Sequence, residues 1–150
     1  MSQWQPKIAV FLCQWALKSD AIWARRLDLP PNVRVLEVPC SGRINPLLLL
    51  STLQHGADGL LVVGCEPGHC HYKEGNYLAR RKFATLRSFL QHLGLGEERV
   101  RFVWLTETAS SRFPDQVESL RSDVQQLGPL RELAIRETVP CAVPARSRVE

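Results

Sequence analysis

A chain of 150 residues, 45% hydrophobic and 23% charged, has room for one soluble domain with a real apolar core. It has no run near the roughly 18 apolar residues of a membrane helix and no signal-peptide order at Met1–Lys7, so a cytoplasmic address without membrane insertion is expected. The formal charge of +4 comes from scattered Lys and Arg, which disfavours a nucleic-acid partner and leaves a solvated surface or a basic docking face.

The first predicted strand is Ile8–Leu12, short and apolar as in a buried parallel strand. A helix from about Ala16 to Leu27 follows, with Leu17, Ala21 and Ala24 at helical spacing, and it stops before Pro30-Pro31. The second strand is Val33–Val38. Asn45-Pro46 then supplies an N-cap and a proline at the first helical position, opening a helix that runs to His55-Gly56. The third strand is Gly59–Val63. A third helix spans about Gly75 to Leu93 with the stripe Ala79, Phe83, Leu86, Leu90, Leu93, and Gly94 stops it. After the strand Val100–Leu105 a fourth helix carries Val117, Leu120, Val124 and Leu127 and ends at Gly128-Pro129. All these stripes read as core. Strand and helix alternating in this way predict an α/β fold: a single-domain open parallel sheet of about four strands with helices on both faces, flavodoxin- or Rossmann-like. The domain is expected over 1–129. From 130 to 150 the periodicity fails and an irregular C-terminal extension is expected.

The chain has five cysteines, an odd number in a sequence without a secretion signal. Cytosolic thiols stay reduced, so metal or redox chemistry is the better reading than a disulfide framework. Cys13, Cys40 and Cys65 follow the first three strands, and Cys70 lies in the loop before the third helix. Parallel strands point one way, so these sulfurs gather at the carboxyl edge of the sheet, where open α/β sheets bind ligands. The turns Pro39-Cys40-Ser41-Gly42-Arg43 and Gly64-Cys65-Glu66-Pro67-Gly68-His69-Cys70-His71 suit a cluster cradle. Gly42, Gly64 and Gly68 allow close backbone approach with N–H groups aimed at a negative centre. Arg43, His69, His71 and Lys73 are placed to raise the potential of an iron–sulfur centre held by four thiolates. One strand-end cysteine is usually a small hydrophobe; three on successive strands with a fourth in the same region are not. Cys141, alone in the tail, is a bystander.

Other chemistries fit less well. A cysteine phosphatase or arsenate reductase needs arginine six residues beyond its nucleophile, and those positions hold Ser19, Pro46, His71 and Asn76. Structural zinc favours paired Cys-x-x-Cys knuckles, which are lacking, although zinc stays open. The run His69-Cys70-His71 has the wrong spacing for Rieske-type ligation. Gly94-Leu95-Gly96 precedes a strand, so it is no nucleotide fingerprint. Trp15 and Trp23 are expected in the core or on a helix face more than against a partner.

The segments Phe11-Leu12-Cys13-Gln14-Trp15, Pro31-Asn32-Val33-Arg34, Cys40-Ser41-Gly42-Arg43, Gly56-Ala57-Asp58-Gly59, Gly64 to Tyr72 and Glu74-Gly75-Asn76-Tyr77 together resemble the delta subunit of methyl-viologen-reducing hydrogenase, the hydrogenase iron–sulfur subunit family, over about residues 7 to 129. The resemblance implies a non-catalytic electron relay with one [2Fe–2S] cluster, expected on Cys13, Cys40, Cys65 and Cys70. It implies transfer between a hydrogenase-, formate-dehydrogenase-type or other reductase module and a heterodisulfide-reductase-A-like partner bearing flavin and iron–sulfur clusters. Family members commonly carry a further cysteine where this chain has Ala16. That departure motivates a clusterless adaptor docking the same flavoprotein as the alternative; a thiol–disulfide protein using Cys65 and Cys70 is a third.

Overall fold

The structure, a computed structural model, describes residues 4–17, 29–105 and 111–131. Four strands, β1 (Ile8–Cys13), β2 (Val33–Val38), β3 (Gly59–Cys65) and β4 (Val100–Leu105), form one parallel sheet in the order β2-β1-β3-β4. The described helices are α1 (Pro46–Gln54), α2 (Gly75–His92) and α3 (Arg112–Leu127), and short 3-10 turns cover Ser41–Arg43 and Glu97–Arg99.

β1 and β3 are the inner strands, and every residue of both is buried. Their continuous apolar sequences, IAVFLC and GLLVVGC, fit a sheet covered on both faces. On one face Ile8, Val10, Leu12, Leu61 and Val63 pack with Phe113, Val117, Leu120 and Val124 of α3. On the other, Ala9, Phe11, Leu60 and Val62 pack with Leu49 and Leu53 of α1 and Phe83, Leu86 and Leu90 of α2. The α/β expectation holds in its architecture, with helices on both faces. Asn45 caps α1 as its side-chain oxygen accepts the Leu47 N–H at 2.9 Å, and Gly94 leaves α2 with φ +73°.

Some expectations need correction. β1 and β3 include Cys13 and Cys65 as their last ladder residues, paired with Val38 and Leu105. β2 is not fully buried: Arg34, Leu36 and Glu37 face solvent because an edge strand has a neighbour on one side only. Leu93 and Leu127, taken as core, are exposed. They sit at the last residue or cap of their helices, where the chain is turning away. Most of the expected first helix, Trp23, Cys141 and residues 132–150 lie outside the described residues.

At the amino end of the sheet the buried groups are structural. Asp58 accepts the N–H groups of Lys7 and Leu130 at 2.9 and 3.0 Å. Buried Arg99 donates to the carbonyl of Gly128 at 2.9 Å, satisfying the end of α3.

Candidate metal centre

The order β2-β1-β3-β4 puts the topological switch point between β1 and β3, because the chain passes from β1 outward to β2 and then back across to β3. Cys13 and Cys65 are the last residues of those two strands. Their Sγ atoms lie 3.6 Å apart although the residues are 52 apart in sequence. Both are free thiols, 1% and 3% exposed.

Cys40 follows β2, in extended backbone just before the 3-10 turn. That turn aims the N–H groups of Gly42 and Arg43 at the Cys40 sulfur. Two glycines make the arrangement possible. A methyl on Gly42 would lie 2.5 Å from the Gly75 carbonyl oxygen, so the turn and the start of α2 are in backbone contact. A methyl on Gly75 would overlap the Cys40 sulfur and stand 3.4 Å from that of Cys70. Glycine is required at 75 for space: it opens the room that Cys40 and Cys70 face.

The loop from Cys65 to Cys70 is tied down by the first turn of α2. Asn76, 0% exposed, donates from Nδ2 to the carbonyls of Cys65 and Glu66 at 3.0 and 3.1 Å, and its Oδ1 accepts the Tyr77 N–H. Gly68 and Lys73 take positive φ, +83° and +65°, which turns the loop twice within a few residues. On the other side Lys82 of α2 donates from Nζ to the Gly42 carbonyl at 2.8 Å, holding the 3-10 turn.

The electrostatics follow from this packing. Burial pushes the Cys65 thiol up to about 12; neighbouring Cys13 adds to the rise, and the His71 N–H opposes it. Burial also raises Cys40, opposed by the Gly42 N–H and reinforced by Cys13 and Cys70. Cys40 and Cys65 thus both sense the sulfurs of Cys13 and Cys70, and a nearby cation would ease the ionisation of these two thiols. Among the described residues no three His, Cys, Asp or Glu side chains converge closely enough to hold a single metal ion.

The candidate tuning side chains sit outside this group. His69 is exposed and faces Glu66 at 3.7 Å. Arg43 is exposed at the rim of a cleft of about 580 Å³, lined also by Pro39, Cys40, Tyr72, Gly75 and Leu78. The His71 ring stacks on Trp15 with centroids 3.6 Å apart and planes within 5°, and Tyr72 packs edge-on to it. Trp15 is 45% exposed, so it is neither core nor buried on a helix face. A larger hollow of about 710 Å³ beside Lys7, Asn32 and His55 has no cysteine in its lining. The sequence reading missed the work of Gly75, Asn76 and Lys82. The available signal was a glycine and an asparagine, both poor helix formers, opening an otherwise strong helix.

The model of the family described as methyl-viologen-reducing hydrogenase, delta subunit, matches residues 8–128. The chain is 39% identical over 131 residues to the D-type iron-sulfur subunit of the F420-non-reducing hydrogenase of Archaeoglobus profundus, covering 86% of this chain and 96% of that protein. It is 36% identical to the corresponding vhc iron-sulfur subunit of Methanococcus voltae, covering 84% and 89%. It is also 34% identical to a stretch of the A-type subunit of the Ferredoxin/F(420)H(2)-dependent CoB-CoM heterodisulfide reductase of Methanosarcina acetivorans, which takes in 96% of this chain and 18% of the larger protein. The cysteine-edged parallel sheet described above therefore belongs to a member of the methyl-viologen-reducing hydrogenase delta subunit family.

Proposed function

We propose that this protein is a cytoplasmic electron-transfer subunit holding one [2Fe–2S] cluster on Cys13, Cys40, Cys65 and Cys70. The observation that supports the reading is that free Cys13 and Cys65 stand 3.6 Å apart at the ends of adjacent strands while the sulfurs of Cys40 and Cys70 both lie against Gly75. Fit to the group is supported by the donor set and by the space around it. The thiols provide four soft ligands, the Gly42, Arg43 and His71 amides aim at two of the sulfurs, and Gly75 opens the room that a side chain would fill. When bound, such a cluster supplies reversible one-electron transfer. The chain's own part is to bind it, orient its ligands and keep water from the buried thiols. The iron-sulfur naming of the relatives supports the same cofactor class.

Ala16 does not leave the ligand set short on this reading. It is 1% exposed, and its N–H donates to the Cys13 carbonyl at 2.9 Å, closing the turn after β1. Four thiols gather without it.

The partner we propose is a heterodisulfide-reductase-A-like flavoprotein, with electrons arriving from a hydrogenase- or formate-dehydrogenase-type module or another reductase. The support is that a stretch similar to nearly this whole chain makes up 18% of one such reductase component. A module fused to a protein in one organism is expected to dock against the same kind of protein when encoded separately. The test is iron and acid-labile sulfide analysis of anaerobically purified protein, with a visible spectrum. Two irons and two sulfides per chain, bleached by dithionite, are expected. Iron-free protein after chemical reconstitution would replace the relay with the clusterless adaptor.

A further inference from the structure

We infer that the four cysteines divide by strand neighbourhood: Cys13 and Cys65 hold an inner iron, Cys40 and Cys70 an outer one, and electrons enter and leave on the outer side. The inference rests on the cluster reading above. It assigns pairs that chain proximity would not, since Cys65 and Cys70 share one loop and are the natural couple by sequence.

The inner pair follows from the sheet. A tetrahedral metal with thiolate bonds of about 2.3 Å sets two of its sulfurs about 3.8 Å apart. Cys13 and Cys65 are already 3.6 Å apart, on adjacent strands whose ladder runs from Ile8–Gly59 to Leu12–Val63. The pairing of β1 with β3 brings the two residues together, and their side chains set the sulfurs at that spacing. With two irons and two protein ligands for each, Cys40 and Cys70 form the remaining pair. The structure brings both to one feature, the bare Cα of Gly75, where a methyl would overlap the Cys40 sulfur and stand 3.4 Å from that of Cys70. Cys65 is drawn to Cys13 by the strand pairing, and Asn76 fixes its carbonyl, while Gly68 turns the chain between it and Cys70.

The two pairs differ in environment. Cys13 and Cys65 lie within the apolar cluster formed with Leu12, Val63 and Phe113. Cys70 packs at the margin of that cluster and is partly exposed; Cys40 is buried, 4% exposed, but lines the cleft of about 580 Å³ that opens past Tyr72 and Leu78. Cys40 also accepts the N–H groups of Gly42 and Arg43, against that of His71 at Cys65. Donors to sulfur and nearness to water both favour the more negative, reduced state. A cluster held here would therefore take one electron, supplied by dithionite in the test, on the iron bound by Cys40 and Cys70, with no bond made or broken.

The experiment compares Cys13→Ser, Cys40→Ser, Cys65→Ser and Cys70→Ser in the full chain by redox titration and by EPR of the reduced state. Iron and sulfide are counted first in the unmodified protein, so that absence of a cluster sinks the parent reading separately. The expected result is two phenotypes: Cys40→Ser and Cys70→Ser share a lowered potential and altered g values, while Cys13→Ser and Cys65→Ser share near-unmodified ones. Should a serine variant fail to load, hyperfine-shifted cysteine β-proton resonances of the reduced unmodified protein read the pairing directly. Cys40 and Cys70 are then expected with the ferrous signature and Cys13 and Cys65 with the ferric one. Cys65 grouping with Cys70 in either measurement, or a ferrous signature on Cys13 and Cys65, would overturn the inference.

Discussion

Gly75 concentrates the local demands of the site in a single residue. Any side chain there meets the Cys40 sulfur, backed by the rigid start of α2. Gly75→Ala is expected to leave the helix and fold intact, as judged by far-UV circular dichroism, while iron content per chain drops severalfold. Unchanged iron content would show that the cradle yields. The buried thiols set a second expectation. Cys65 in the folded, metal-free chain keeps its proton to about 12, whereas an unfolded thiol loses it near the ordinary value. A raised acid contributes its full stability below the unfolded value and loses it as pH rises through the window between the two. The urea midpoint of metal-free protein should therefore fall as pH rises from about 8.5 towards about 12, and fall less steeply in Cys65→Ala. Equal slopes would show that Cys65 is not the responsible group. The cysteines were legible in the sequence because each ends an apolar run. The cradle glycine and the Asn76 anchor were not, because a missing methyl and a side-chain amide gain meaning only when another segment comes against them.

At the scale of elements, the helices divide the labour. α2 serves the site directly: its first turn supplies Gly75 and Asn76, and Lys82, further along, holds the 3-10 turn beside Cys40. α3 contributes Phe113, Val117, Leu120 and Val124 to the core beneath Cys13 and Cys65 and no candidate ligand. Leu120→Ala is expected to cost about 2–5 kcal/mol by the cavity it leaves, measured by urea unfolding, while protein that remains folded loads iron as before. Loss of loading at unchanged stability would instead tie α3 to the site. Periodicity exposed both helices in the sequence, because an amphipathic stripe is a local property. It overreached at Leu93 and Leu127, since a stripe cannot show where the sheet beneath it ends. It also missed the exposure of β2, whose apolar and β-branched run reads as buried until its place at the edge is known.

For the whole molecule, the two ends of the sheet have opposite tasks. The amino end is closed by Asp58 and Arg99 acting on backbone groups; the carboxyl end gathers the free thiols. A cluster held by the proposed ligands on β1, β3, the turn after β2 and the loop before α2 would clamp three strands together. A group bound by the folded state alone stabilises it by mass action. Removing it by acid and chelator, then returning to neutral pH, should lower the thermal midpoint by several degrees, and reconstitution should restore it. An unchanged midpoint would mean that the strands hold their places without the metal.

What the sequence determined by itself was the alternation of apolar runs with amphipathic stripes, and hence a parallel sheet with cysteines at its carboxyl edge. These are consequences of local periodicity and of strands pointing one way. Tertiary structure alone decided which cysteines stand together. The strand order sets Cys13 against Cys65 across 52 residues of chain, and the contact of α2 with the 3-10 turn sets Cys40 and Cys70 about Gly75. Distance between sulfurs depends on which strands become neighbours, and that is settled by the packing of the whole sheet.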